Sequence, residues 1–500
     1  MSHDIYAVLS KLTDIALALS AEKDKNKLFD LILVGARELT HADGGTLYIV
    51  EGNNLKFEIV HNETLKISLL GKGQFPPIAL KENGQNNDRM IAAYAANHRK
   101  TVNIADAYKA EGFDFSGTRS FDEKNGYHSE SFLTIPLINH EDDVIGVLQL
   151  INAKDESGKN RPFSEEEQLV AEALSSEAAV ALTNQQLILG LKLMFESLTR
   201  VIAEAIDEKS PITGKHCKRV PIIAHMLAVA VGKSEPSAKL TDDQLYELDI
   251  AALLHDCGKV TTPVHIVEKG HKLQTIIDRI NLIENRFEII YRDRVIEGKT
   301  ADLGALKAKF QQDIAFLREC NLGKESMSEE SLKRIDDLAA LSWTDFSGQV
   351  QPLITEDEKY NLKIVKGTLT PEERKIIENH VSMTLRMLAR IPYPKYLKDV
   401  TEIAGSHHEK INGTGYPRRL TGAQMSERAK MLAIADVFEA LTAPDRPYKE
   451  VMNLSKAIAI MSSMSKEGHI DPPLWEIFLK EKVYLEYGKQ YLKPEQLDLN

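Results

Sequence analysis

The chain has 500 residues, 43% of them apolar and 27% charged, and a formal net charge of -12 at pH 7. That length is too great for one core and implies two or more domains of the ordinary soluble globular class. The acidic balance excludes a general binder of DNA or RNA, because phosphate-rich partners demand basic surface; a small anionic substrate in a local basic pocket stays open.

The N-terminal run MSHDIYAVLSKLTDIALALSAEKDKNK is amphipathic and carries acids, unlike a secretory signal. Nowhere do about 18 apolar residues run uninterrupted, so no membrane span is expected. Cys217, Cys257 and Cys320 lie far apart without paired spacing, which fits a reducing cytoplasm better than a disulfide framework. Leu28 to Leu39 shows helical periodicity, and residues 44–50 and 55–60 alternate around Gly and Asn turns as paired strands do. Residues 131–138 and 143–152 read as two central strands, and a helix follows with Ser164 as N-cap and Glu167 three residues on. Together these make an α+β segment. Its runs ADGGTLYIV, SFLTIPLINHEDDVIGVLQLINA and FSEEEQLVAEALSSEAAVAL resemble a GAF domain over roughly residues 20–185. The resemblance implies a sensory domain over 1–186 that takes an unknown small molecule, or one with a structural or dimerising role. No cysteine precedes Cys217, so a thioether-linked bilin is excluded.

Leu187, Leu191, Met194, Leu198, Val201 and Ala205 then recur at alternating four- and three-residue steps. A seam of period 3.5 predicts a two-stranded coiled coil. Residues 187–206 are therefore either a signalling helix joining a parallel homodimer or a single helix packed on its own domain.

From 207 to 500 the helical period dominates, and an all-α region is expected. Ligand-type residues recur on its apolar faces. His216 opens an amphipathic helix, whereas His225 lies off that face and reads as structural. His255 and Asp256 end the apolar helix in LYELDIAALLHDCGKV. His380 lies one turn beyond Ile376 and Ile377, in a helix whose start is marked by Pro371 and a Thr370–Glu373 capping box. His407 and His408 continue the face of Val400, Ile403 and Ala404; as helical positions they splay by about 100° and suit two neighbouring ions. Asn412-Gly413, Gly415 and Tyr416-Pro417 then break the helix. Asp436 sits among Leu432, Ala433 and Ala440. Buried imidazole and carboxylate are costly without partners. Seven nitrogen and oxygen ligands without thiolate match a two-metal site that hydrolyses phosphate esters.

The order HDCGK (255–259), HHEKINGTGYP (407–417) and ADVFEALTAPDRPYK (435–449) resembles the HD-GYP family, a subgroup of the HD metal-dependent phosphohydrolases, from about 205 to 480. The resemblance implies hydrolysis of cyclic di-GMP, or mixed cyclic GMP-AMP, to the linear dinucleotide and on to GMP. It implies two Fe or Mn ions, with a third not excluded, held by His216, His255, Asp256, His380, His407, His408 and Asp436. Asp256 would bridge the ions, and a hydroxide between them would attack phosphorus. Lys259 would contact the scissile phosphate, Arg446 and Lys449 would neutralise substrate phosphates, and Gly413, Gly415, Tyr416 and Pro417 would shape the pocket, unless Tyr416 only packs the loop. Asn412 stands where the family usually has Asp, and one extra residue in TAPDRPYK displaces Arg446 from the family spacing. These departures keep open a cyclic-dinucleotide receptor of weak activity. Between VHIVEKGHKL (264–273) and KGTLTPEE (366–373) about 90 residues are inserted. They read as a helical hairpin over about 273–365: a lid, a dimer contact, a partner surface or a tolerated insertion.

Overall fold

Strand-forming runs between Gly and Asn turns build one antiparallel sheet in the N-terminal unit, Met1–Met194, of the computed structural model. The structure describes residues 2–70, 75–209, 215–298, 302–323, 326–443 and 452–499. The sheet contains β1 (Ala42–Glu51), β2 (Asn54–Asn62), β3 (Ile67–Leu70), β4 (Val102–Ile104), β5 (Phe132–Ile138) and β6 (Val144–Lys154) in the order β3-β2-β1-β6-β5-β4. Both faces of β1 are buried. On one face, Leu47, Leu148 and Leu150 pack against Phe29, Ile32 and Leu33 of α2 (Lys25–Thr40), and against Leu174 and Ala178 of α5 (Glu165–Lys209). On the other, Tyr48 and Val147 meet the small residues Ala92, Ala93 and Ala96 of α3 (Ile91–His98). Helices α1 (Ser2–Ala21) and α4 (Ser116–Asn125) complete the α+β unit. Asp24 caps α2 by accepting the amides of Asn26 and Lys27. Ser164 and Glu167 cap α5 reciprocally, as their spacing requires.

Leu187, Leu191, Met194, Leu198 and Val201 on α5 are each more than half exposed. Within one chain this seam does not pack on its own domain. By length and composition α5 is also apolar enough to cross a membrane, but Lys192, Glu196 and Arg200 interrupt the seam region.

The second unit, Phe195–Asn500, is built on α6 (His216–Ser234), α7 (Asp242–Leu254), α8 (Val264–Val267), α9 (Ile280–Glu297), α10 (Leu303–Asn321), α11 (Glu329–Ala339), α12 (Glu356–Leu362), α13 (Pro371–Leu388), α14 (Val400–Ala404), α15 (Glu427–Thr442), α16 (Leu454–Lys466), α17 (Pro472–Lys480) and α18 (Val483–Tyr491). Its core joins Val220, Ile223 and Leu227 of α6 to Leu248 and Ala251 of α7, to Leu432 and Phe438 of α15, and to Trp475 and Phe478 of α17. Alanines at the α6–α15 and α6–α7 crossings let these helices approach closely.

This unit is largely helical, as expected, with one exception among the described residues. Strands β7 (Ser342–Thr344) and β8 (Val350–Pro352) form an antiparallel hairpin. At three residues each they are too short for alternation to show, and their turn is made by Asp345, which accepts the amides of Ser347 and Gln349. The insertion is likewise not a helical hairpin. Helices α9 to α12 and the β-hairpin enclose a separate core of Ile283, Phe287, Leu317, Ile335, Leu353 and Ile354. A buried pair between Arg286 and Glu358, at 2.7 Å, ties α9 to α12. Because that core is separate, Phe287→Ala should destabilise the insertion by about 3–5 kcal/mol. Hydrogen exchange should then accelerate across residues 280–362 while α6, α7 and α15 keep their protection; uniform loss would contradict an independent core.

Candidate metal centre

Five separate chain segments bring seven side chains to one buried point. The pattern begins with local geometry. The ring Nδ1 of His255 lies 2.7 Å from the Ala252 carbonyl, that of His380 lies 2.5 Å from Ile377 O, and that of His407 lies 2.6 Å from Ala404 O. A carbonyl only accepts, so each Nδ1 carries the proton and each Nε2 presents a lone pair inward. His216 reaches the same state differently: its Nδ1 donates to the carboxylate of Glu439, which is fully buried and also accepts from Arg219 Nε at 2.6 Å.

Asp256, 2% exposed, lies between two imidazole groups. Its Oδ2 is 3.4 Å from His255 Nε2 and 3.6 Å from His216 Nε2, while its Oδ1 is 3.3 Å from His380 Nε2 and 3.9 Å from His407 Nε2. Asp436 spans the groups in parallel, with Oδ1 at 3.2 Å from His216 Nε2 and Oδ2 at 3.9 Å from His408 Nδ1. Two clusters with metal-ligand spacing result: His216, His255 and Asp256, and His380, His407 and His408. Three atoms that face inward, Asp256 Oδ1, His380 Nε2 and His407 Nε2, are buried without any hydrogen-bond partner. His216 Nε2 and His255 Nε2 lie 3.3 Å apart, where two lone pairs repel unless a cation or proton lies between them. These orphaned acceptors fit divalent ions, and the nitrogen and oxygen donor set suits Fe, Mn or Zn.

Burial opposes a charge on His216, yet Asp436 and Glu439 outweigh it and lift its pKa to about 10, so positive charge at its Nε2 is favoured, supplied by a proton or by an ion that takes the proton's place. Burial lowers His408 to about 4 and holds His407 well below the usual range, so both imidazoles are neutral, the form that can ligate an ion. Burial works against the Asp256 carboxylate as well, but Lys259 and His255 hold it well below the usual range. Lys259 Nζ donates to Asp256 Oδ2 at 2.6 Å.

The helical reading of His407 and His408 is corrected. Helix α14 ends at Ala404, and residues 405–408 form a turn. Both rings therefore face His380 in one cluster, with centroids 4.2 Å apart, rather than splaying toward separate ions. The loop beyond is held by Glu409, 1% exposed, which accepts the amides of Arg418 and Leu420. Gly415 passes so close that a Cβ would stand 2.4 Å from the Lys410 amide. Tyr416 lies against His408 at 4.8 Å and joins Pro417 through a cis peptide bond, and Gly413 takes a φ of 77°. Asn412 Oδ1 accepts from Thr414, and its amide group donates to the Glu467 carbonyl at 3.0 Å. Arg446 and Lys449 lie outside the described residues. His225 stays apart, paired with Asp249 at 3.1 Å.

Segment Cys257–Thr261 packs on α13 through Gly258, whose absent Cβ would stand 1.9 Å from the His380 carbonyl. Thr384 completes this crossing: its hydroxyl accepts from the Gly258 amide and donates to the His255 carbonyl, both at 3.0 Å.

Sequence reading missed Glu439 and Arg219. The available signal was the spacing of Glu439, three residues after Asp436 and so on the same helical face. A carboxylate that fixes a ligand histidine typically carries about 10–100-fold in metal affinity. Glu439→Gln should therefore lower metal content and affinity by about that factor, as read by metal analysis and titration, with the far-UV circular dichroism unchanged.

The GAF domain family model matches residues 24–182, and two HD domain models match residues 213–340 and 356–474. Among curated proteins, the 3'3'-cGAMP-specific phosphodiesterase 3 of Vibrio cholerae is 38% identical over 107 residues, 21% of this chain and 22% of that protein. A cyclic di-GMP phosphodiesterase of Pseudomonas aeruginosa is 39% identical over 114 residues, 23% of this chain and 26% of its own length. A cyclic di-GMP phosphodiesterase of Thermotoga maritima is 38% identical over 114 residues, 23% of this chain and 30% of its own. The chain thus spans less than a third of each of these relatives. With the two HD matches enclosing the histidine-rich centre and the GAF match covering the sheet, the chain is a GAF domain followed by an HD domain, with distant relatives among the cyclic-dinucleotide phosphodiesterases.

Proposed function

We propose that this chain is a cytoplasmic, metal-dependent phosphodiesterase that opens cyclic di-GMP or mixed cyclic GMP-AMP to the linear dinucleotide, and on to GMP, under control of its GAF domain. The observation that carries the reading is the convergence of three orphaned acceptors, Asp256 Oδ1, His380 Nε2 and His407 Nε2, between two histidine clusters. His216, His255 and Asp436 with one oxygen of Asp256 would hold one ion; His380, His407 and His408 with its other oxygen would hold the second. Two divalent ions, Fe or Mn, supply Lewis-acid polarisation of a phosphate and a lowered pKa for bound water. Asp207, the buried acid nearest His216 in the chain, spends its carboxylate on the amides of Lys215 and Cys217, which favours two ions over three.

The protein's own groups then bind and orient. The partly buried ammonium of Lys259, kept charged by Asp256 despite desolvation, would donate to a phosphate oxygen beside the centre. Glu409 holds the loop that presents Tyr416 and Pro417 next to His408. Arg446 and Lys449 would neutralise the remaining phosphate charge. Asn412 does not weaken this reading in favour of a receptor, because its amide donates to Glu467, a bond an aspartate lacks. The relatives named for cyclic-dinucleotide hydrolysis support the substrate class, and the three buried cysteines, none in a disulfide, are consistent with a reducing compartment.

Two copies of α5 would pair along the exposed Leu187–Val201 seam, and a cavity of ≈ 390 Å³ in the GAF unit, lined by Tyr48, Phe57, Phe115 and Gln149, would take the small-molecule signal. His255→Ala with Asp256→Ala should remove both bound metal and turnover of either cyclic dinucleotide, followed by chromatography of products. Chelation should abolish turnover and added Mn or Fe should restore it; hydrolysis by the double variant would sink the site. Leu191→Lys with Leu198→Lys should convert a dimer to a monomer in light scattering, whereas an unchanged mass would rule out the seam.

A further inference from the structure

The insertion and the helix that carries His380 together line a groove of ≈ 630 Å³. Its lining includes Lys359, Lys363, Lys366 and Arg374, four cations in a chain of net charge -12. Tyr360 and Val365, each about half exposed, add an apolar side, continued by Leu369 and Pro371. Some of this charge is already engaged: Glu356 lies in the lining, Lys359 and Lys363 share Asp336 at 3.3 and 2.8 Å, Lys366 has a partner of its own, and Tyr360 donates to Glu372. Arg374 forms no ion pair among the described residues.

The walls are held in place before any ligand arrives. The ammonium of Lys269, almost wholly buried, donates to Asn361 of α12 at 2.9 Å and to both oxygens of Glu373 at 2.7 and 2.8 Å. Glu373 is also the capping-box acid of α13. One buried cation thus clamps the last helix of the insertion to the first turn of α13. Arg374 is the next residue, about 9 Å along the axis from His380.

Clustered cations beside an exposed tyrosine and apolar side chains are the chemistry that recognises a phosphate joined to a planar base. We propose that this groove is a nucleotide subsite: Arg374 with Lys359 and Lys363 holds a phosphate, and Tyr360 with Val365 covers the base. The occupant is either the second nucleotide of the substrate or a separate mononucleotide. The link to hydrolysis rests on the proposed phosphodiesterase activity; the binding does not.

The test is GMP titration by calorimetry into the full chain carrying His255→Ala and Asp256→Ala, so that bound metal cannot hold the phosphate. GMP should bind, and adding Lys363→Gln and Arg374→Gln should weaken it about tenfold or more. Lys363→Arg, which keeps the Asp336 pair, should retain binding and so guards against misfolding. A KM for cyclic dinucleotide that rises with Arg374→Gln in the otherwise native chain identifies the substrate's second half; an unchanged KM with lost GMP binding identifies a separate mononucleotide. Absent GMP binding, or binding indifferent to the two Gln substitutions, overturns the subsite. GMP binding in a chain that hydrolyses no cyclic dinucleotide would overturn the activity and leave the groove.

Discussion

The structure depends on burying the Asp256 carboxylate among four imidazoles. An isolated carboxylate in so dry a place costs several kcal/mol, and one ammonium, Lys259, reaches only one of its oxygens. The other oxygen meets inward-facing lone pairs of His380 and His407, which repel rather than satisfy it. Only positive charge between these groups makes the arrangement favourable. The surrounding helices are arranged to deliver it: donors enter from the end of α7, the start of α6, the middle of α13, the turn after α14 and the small-residue face of α15.

Four of the five histidines at the centre are fixed by an ordinary hydrogen bond on the side away from it. Three histidines are oriented by carbonyls of their own turns, at i-3, so the chain that carries the ring also fixes its tautomer. His216 is oriented across the fold instead, by the Glu439–Arg219 pair. The loop after His408 follows the same logic, with a buried acid, Glu409, accepting two backbone amides where no regular element is available.

Much of this was legible in the sequence. Capping boxes at Ser164 and Thr370 appear where the spacing placed them, because a cap is a local contract between residues three apart. The histidine stations were visible because each rides an apolar face, where an imidazole is out of place. The β-hairpin of the insertion was not visible: three-residue strands carry no measurable period. Glu439 was hidden for the opposite reason, since an acid in a charged helix reads as solvated until the packing shows what lies over it. The turn at His407 was misread because the apolar period runs to Ala404 and stops there, one residue short of Gly405.

The contact at Gly258 has a mechanical consequence. With the His380 carbonyl where a Cβ would otherwise stand, and Thr384 of α13 bonded to both Gly258 and His255, the two halves of the centre are locked together at backbone contact distance. They cannot be drawn apart without breaking backbone packing.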